Sequence, residues 1–166
     1  MKRILTAMIG IIAAVGMVVS ACAPVEEAET PTIPPVEEVA SAAEMSEKLG
    51  FEMQTLDAPG YQAVRFEVLH GERGQITYEN SRGQKLRLRM QKVNDDICGI
   101  EDAEDGGMQD VGESKVWFGY KDDLCISQWG QDGYTYCLIG EGLNRTPFRR
   151  VANLLEAQVN AEEPEE

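Results

Sequence analysis

Hydrophobic residues recur along this chain with two different periods, and the first is helical. Met45 and Leu49 are spaced as on one face of a helix, and Gly50 is placed to end it. Ser41 and Glu44 form a capping-box pattern at the start of the same segment. The pattern predicts a short N-terminal helix.

After this segment the period becomes two, which is typical of strands with one buried face. Six short segments show this alternation: residues 63–68, 75–79, 85–90, 115–120, 124–129 and 134–139. Short turns rich in glycine, asparagine and aspartate separate the first three segments and join the last two, which favours antiparallel pairing. Residues 94–112 contain several glycines and no periodic pattern, so we expect a loop there.

A second helical pattern closes the chain. Thr146 is placed as the N-cap and Pro147 as the first helical residue. Its apolar face consists of Phe148, Val151, Leu155 and Val159. The sequence therefore predicts an α+β domain over residues 41–160. An antiparallel sheet of about six strands, a meander plus a C-terminal hairpin, would carry an N-terminal and a C-terminal helix on one face and leave the other in solvent.

The N-terminus has the order of a secretory signal, with Lys2 and Arg3 followed by an almost wholly apolar run. It ends in Val19-Ser20-Ala21-Cys22, which resembles the bacterial lipobox. The resemblance implies that residues 1–21 are removed and that Cys22 carries acyl chains that hold the protein at a cell membrane, outside the cytoplasm. The alternative is an uncleaved anchor, but a membrane-spanning helix needs about 20 apolar residues and no cysteine at its end.

Composition changes this picture at both ends of the domain. Residues 22–40 contain four prolines, five glutamates and no basic residue, which predicts a disordered, self-repelling tether. Residues 161–166 form a second acidic segment, the C-terminal tail. Cleavage would remove two bases and no acid, so the net charge of −14 would become −16.

This charge and the single histidine exclude several classes of function. The chain has 166 residues with 29 acidic and 15 basic side chains, so we expect no binding to nucleic acid, whose phosphates require an excess of lysine and arginine. His70 stands alone, which excludes sites that need two imidazoles. We recognise no Ser-His-Asp set and no Gly-rich phosphate loop, and we predict no cofactor.

The order of the elements and several short motifs resemble the bacterial domain of unknown function 4367 family over nearly all of residues 41–158. The motifs are Leu49-Gly50-Phe51, Pro59-Gly60-Tyr61, Ile76-Thr77-Tyr78, Asp96-Ile97-Cys98-Gly99, and Trp129 with Asp132-Gly133-Tyr134-Thr135-Tyr136. The family has no established activity, and the resemblance implies an extracytoplasmic lipoprotein or the outer part of a membrane-bound regulator. Cys98 and Cys137 depart from the family pattern, which tends to have serine there.

Three cysteines remain once Cys22 is lipidated. Cys125 and Cys137 lie on two strands of one predicted hairpin, so a disulfide could join them in a chain outside the cytoplasm if the register lets them face each other. Cys98 could instead reach Cys137 if the predicted loop folds over the sheet. Three free, buried thiols are a further alternative.

Basic residues are concentrated in one part of the domain, between positions 65 and 92. Lys85, Arg87 and Arg89 share the solvent side of one predicted strand, and Arg65 lies on the outer side of a neighbouring strand. This face is our candidate docking surface for an anionic partner, such as an envelope protein or an anionic polymer. The alternative is ordinary cross-strand pairing with Glu67 and Glu79.

Acidic residues are concentrated in the predicted loop around Gly106-Gly107: Glu101, Asp102, Glu104, Asp105 and Asp110. Aligned as an EF-hand, this segment puts Ala103 and Gly112 where calcium ligands are required, so the motif fails. We therefore predict no metal site and expect a solvated acidic loop.

These observations predict a monomeric, lipid-anchored extracytoplasmic protein that is not an enzyme and acts as an interaction or sensing module. The alternative function is a carrier for an amphiphilic small molecule, because a curved antiparallel sheet under a helix can enclose an apolar cleft. A metal-dependent hydrolase using the acidic segment is the weakest of the three hypotheses.

Overall fold

A computed structural model shows how these segments assemble, and it describes residues 35–92 and 96–161. The described residues form eight strands and two helices. Their bounds are β1 (Val36–Val39), α1 (Ala42–Leu49), β2 (Tyr61–Leu69), β3 (Arg73–Asn80), β4 (Lys85–Gln91), β5 (Glu104–Val111), β6 (Ser114–Lys121), β7 (Leu124–Gln131), β8 (Tyr134–Glu141) and α2 (Arg145–Ala161). Neither of these two helices combines the length and apolar character needed to cross a membrane.

All eight strands belong to one antiparallel sheet with the order β1-β2-β3-β4-β8-β7-β6-β5. Each half is a meander of four sequential strands, as short turns between neighbouring strands require. The halves meet where β4 pairs with β8, with Arg89 opposite Cys137. Among the described residues, β1 and β5 are therefore the two edge strands of the sheet.

Both helices cover the same face of the sheet, which we call the inner face. Met45 of α1 lies against Gly74 of β3, and Phe148 of α2 lies against Gly140 of β8. Both glycines pair with inward-facing residues of β4, so the two contacts are on one side of the sheet. A Cβ atom at either glycine would come within 2.7 Å of the helix side chain, so each glycine lets a helix approach closely.

The inner face is filled with large apolar side chains. Those with almost no exposure include Phe118, Phe148, Met45, Ile76, Leu86, Leu88, Leu138 and Leu155. Burying each of these contributes about 1.5–3 kcal/mol of hydrophobic stabilisation. The apolar side chains of the two helices and of the strands thus pack in a single core. The predicted α+β class with helices on one face is confirmed.

Local signals place the start and end of α1 correctly. The side chain of Ser41 accepts a hydrogen bond from the backbone N–H of Glu44 at 3.2 Å. Gly50 ends the helix with φ 70°, a conformation that costs glycine little. Helix α2 begins slightly earlier than predicted, at Arg145, and its first helical bond runs from Phe148 N to Asn144 O at 3.1 Å.

Two strands were not predicted. Strand β1 lies inside the predicted tether, residues 22–40, and β5 lies inside the predicted loop, residues 94–112, so the sheet has eight strands instead of about six. Strand β1 is ordered by pairing with β2, which buries Val39 opposite Phe66. In β5 a bulge between Asp105 and Gly107 interrupts the two-residue period on which the prediction relied.

Other parts of the predicted organisation fall outside the described residues. These are the signal peptide with Cys22, the tether up to residue 34, and the last five residues of the acidic tail. The predicted lipidation at Cys22 therefore stays a prediction.

Candidate functional site

The face opposite the helices, which we call the outer face, carries two neighbouring rows of side chains that cross the sheet. From β2 to β5 the first row is Glu67, Gln75, Arg89, Cys137, Gln128, Trp117 and Met108. The second row is Arg65, Thr77, Arg87, Ile139, Ile126, Gly119 and Asp105. In both rows the part on β2, β3 and β4 is polar, and the centre on β8, β7 and β6 is mostly apolar. The outer face thus changes character where the two meanders meet.

Residues 96–103 fold over the apolar part of the outer face. This segment and the strands beneath it form a small second core, which we call the satellite cluster. Its buried members are Ile97, Cys98, Ile126, Cys137 and Ile139. The prediction that the whole second face is solvated is therefore wrong for this half. The reason is tertiary, because the covering segment has no regular secondary structure of its own.

A disulfide attaches this covering segment to the sheet. Cys98 is bonded to Cys137 of β8, with their Cα atoms 5.6 Å apart. Cys125 is a free, buried thiol, so the predicted Cys125–Cys137 disulfide is wrong and the alternative pairing is the one formed. The register explains this, because Cys125 lies opposite Gly140 and belongs to the inner face, whereas Cys137 points to the outer face.

Arg89 holds the same segment from the polar half. Its Nε donates to Gln75 Oε1 at 2.7 Å. Its Nη1 donates to the carbonyl oxygen of Ile97 at 3.3 Å and to that of Cys98. The guanidinium is therefore engaged in folding, and Arg89 is not the freely presented docking cation that the sequence predicted.

The charge of Arg89 is only indirectly compensated. Burial of the guanidinium, and then the nearby Arg87 and Arg73, lower the pKa of Arg89 below its ordinary value, while Glu67 raises it. Glu67 reaches Arg89 through Gln75, whose Nε2 donates to Glu67 Oε2 at 2.7 Å. The outer face thus carries an excess of positive charge around β4.

Three of the predicted docking cations remain accessible on the polar half: Arg65, Lys85 and Arg87. Arg65 has 57% of its side chain exposed, and its nearest carboxylate, on Glu67, is 3.9 Å away. Arg87 donates to Glu141 at 3.2 Å, yet its Nε is buried and, among the described residues, has no hydrogen-bond partner. Lys85 lies on the same side of β4, two residues before Arg87.

Thr77 lies between Arg65 and Arg87 in the second row, one strand away from each. We call these three residues the arginine row. Two guanidinium groups with a hydroxyl between them can bind carboxylate or phosphate oxygens, and arginine does so with paired donors. The arrangement is suited to anion recognition.

The predicted acidic loop is partly strand β5. Asp105 is engaged locally, because its Oδ1 accepts from Gly107 N at 2.8 Å and from Trp117 Nε1 at 3.0 Å. Glu104 and Asp110 form exposed ion pairs with Arg145 and Lys115. Within the part of the chain that the structure describes, no three or more histidine, cysteine or acidic side chains converge as metal ligands would.

Three clefts in the described part of the chain open to solvent. One of about 180 Å³ lies beside Cys125 and Arg145, one of about 310 Å³ beside Asn160, and one of about 340 Å³ beside Val64. The first two are lined by residues of the sheet and of α2, so they lie where the sheet meets that helix.

Sequence reasoning missed the glutamines that organise the outer face. Gln75 supports Arg89, and Gln128 accepts a hydrogen bond from Ile97 N at 3.3 Å. Both occur at outward positions of strands whose inward positions are mostly apolar, which is a signal that the sequence contains. Their partners, however, are 14 and 31 residues distant and only the fold reveals them.

Comparisons with protein-family models, curated proteins and solved structures return no match for this chain. The resemblance to the domain of unknown function 4367 family therefore stays a prediction, and the outer face must be interpreted from its own chemistry.

Proposed function

We propose that this chain is a lipid-anchored, extracytoplasmic interaction module that binds an acidic segment of an envelope protein through the uncovered half of its outer face. The observation that carries the proposal is the arginine row, where Arg65 has 57% and Arg87 has 30% of its side chain exposed. A binding partner that supplied carboxylate oxygens would pair with the exposed guanidinium nitrogens of these two residues.

The disulfide supports the proposed location. Structural disulfides persist in oxidising compartments outside the cytoplasm, and Cys98–Cys137 fixes a segment that has no regular secondary structure. Lipidation can be tested directly. In the producing cells, Cys22→Ser should abolish labelling by palmitate and leave residues 1–21 attached, because cleavage follows acylation of the thiol; the mass of the purified chain shows this.

The pattern of charge favours a protein partner over a uniform anionic polymer. Glu67 lies beside Arg65, and Glu141 lies beside Arg87. A polymer with evenly repeated negative charge would be repelled by these carboxylates, whereas a protein segment can place its acids to avoid them. We assign the module no catalytic role, and the single histidine, His70, lies exposed in the β2–β3 turn.

A photo-crosslinking amino acid at position 77 tests the proposal in the producing cells. We expect one discrete protein adduct with the otherwise unchanged chain, and its loss when Arg65→Glu and Arg87→Glu are combined. The matched control combines Arg82→Glu with Arg150→Glu, which changes the net charge equally at exposed positions elsewhere. Equal adducts from both double variants would refute docking through the arginine row.

The carrier alternative stays a prediction. Native mass spectrometry of the purified chain would detect a bound amphiphile as added mass.

A further inference from the structure

Strand β5 forms an open edge of the sheet, at the end opposite the arginine row. It pairs with β6 on one side and has no described strand on the other. Val111 and Ser114 close a two-residue turn, so this pair exchanges the hydrogen bonds nearest the turn. By the alternation of antiparallel ladders, Met108 and Asp110 then direct their backbone N–H and C=O groups to the open side.

This part of the edge has little protection against an added strand. The bulge between Asp105 and Gly107 lies at one end, and residues 107–111 pair regularly with β6. Natural edges are commonly blocked by bulges, by charged side chains, especially lysine, by proline or by inward-pointing charge. Residues 107–111 contain no lysine or proline, and Met108 has 58% of its surface exposed.

The side chains beside the open edge determine which residues an added strand must present to it. Met108 lies opposite Trp117, which packs across Gly119 and is fixed by its hydrogen bond to Asp105. The two side chains make an apolar contact point on the outer face. Two residues further on, the carboxylate of Asp110 is 80% exposed and forms a solvent-exposed ion pair with Lys115 of β6, so a basic residue of an added strand would share this carboxylate with Lys115.

Charge identifies the type of partner. The edge strand carries Glu104, Asp105 and Asp110 and no basic residue, and the chain as a whole has a net charge of −14. Such a field attracts basic segments and speeds their association. From these observations we propose that β5 binds an extended basic segment of another protein by strand addition, with an apolar residue opposite Met108 and a lysine or arginine opposite Asp110.

The probe is an acetylated and amidated peptide with the sequence Thr-Lys-Thr-Leu-Thr-Lys-Thr. Because it reads the same in both directions, leucine can lie opposite Met108 and lysine opposite Asp110 in a parallel or an antiparallel arrangement. We expect saturable binding to the full chain, seen as a change in Trp117 fluorescence and as slower hydrogen exchange in residues 107–111. Replacing both lysines of the peptide by glutamate should abolish it.

Two variants test the assignment to this edge. Met108→Pro removes an N–H that faces the open side without removing a bond to β6, and Asp110→Lys reverses the required charge. Each should weaken peptide binding at least tenfold. Val64→Ser is the matched control. Val64 is, like Met108, a strongly exposed apolar side chain, but it lies on β2, so its replacement should leave peptide binding unchanged.

Four results would overturn the proposal. The peptide could leave exchange in residues 107–111 unchanged, or its glutamate version could bind equally well, or Met108→Pro could bind like the unsubstituted chain. Self-association of the chain that Met108→Pro abolishes would also overturn it, because the occupant of the edge would then be a second copy. The arginine row is not part of this test, so neither proposal depends on the other.

Discussion

Arg89 of β4 donates a hydrogen bond from Nη1 to the carbonyl oxygen of Ile97 at 3.3 Å, across the boundary between the two halves of the outer face. Through this contact one meander holds the segment that covers the other. The same guanidinium donates a second hydrogen bond, from Nε to Gln75 Oε1 of β3, so partners on two sides hold it in position. The polar half of the outer face thus has a structural role besides the proposed docking.

Arg89→Met should lower the free energy of unfolding by about 2–3 kcal/mol, because it leaves buried acceptors without their charged donor. Denaturant unfolding measures the loss, and hydrogen exchange should show that residues 96–103 open first. Arg65→Met is the matched control, and we expect a change within about 0.5 kcal/mol because Arg65 is largely exposed and lies 3.9 Å from its nearest carboxylate. Equal losses would contradict the clamping role of Arg89.

Reduction of Cys98–Cys137 should lower the free energy of unfolding by about 3–4 kcal/mol, since the bond closes a loop with a sequence separation of 39 residues. The midpoint of denaturation with and without a phosphine reductant measures this. In Cys125→Ala the effect of the reductant should persist, because that thiol is free in the fold. If Cys125→Ala removed the effect, the assigned pairing would be wrong.

Gly112→Ala should destabilise the protein by about 2–3 kcal/mol. Gly112 has φ 55°, and an added Cβ would lie 2.5 Å from Oε2 of Glu156, a carboxylate that α2 buries against the β5–β6 turn. Gly142→Ala separates the cost of the positive φ from the cost of the contact with Glu156. At Gly142 φ is 72°, and no atom lies within 4 Å of the added Cβ. The control should cost only about 1 kcal/mol of backbone strain, and an equal cost at both positions would argue against the contact with Glu156.

Stability should fall at alkaline pH because of Tyr78. Burial raises the pKa of Tyr78 above its ordinary value of 10.0, and the hydrogen bond from Leu56 N, 2.8 Å from the phenol oxygen, only partly opposes this. The unfolded chain therefore releases the phenol proton first, so this contribution to stability is lost as the pH rises above about 10. The free energy of unfolding measured from pH 8 to pH 11 shows the slope.

Tyr78→Phe tests the same residue. At pH 7 the variant should lose about 1–3 kcal/mol, because the backbone N–H of Leu56 loses its buried acceptor. Above pH 10 the difference from the unsubstituted chain should shrink, since phenylalanine does not titrate. A difference that stays constant across this range would assign the alkaline loss to other groups.

The sequence by itself determined the features that depend on neighbouring residues. The capping box at Ser41, the αL stop at Gly50 and the alternation in β2 to β4 and in β6 to β8 are local properties, so pattern and turn chemistry predict them. They suffice for the α+β class and for the face that the helices cover.

Only the tertiary structure decided the rest. Strand β1 forms because β2 offers it hydrogen bonds, and β5 forms against β6 despite a bulge and two glycines. The partner of Cys137 and the engagement of Arg89 depend on which face each strand presents and on a segment that crosses that face. These contacts join residues distant in sequence, and their free energy comes from pairing and burial that no local pattern encodes.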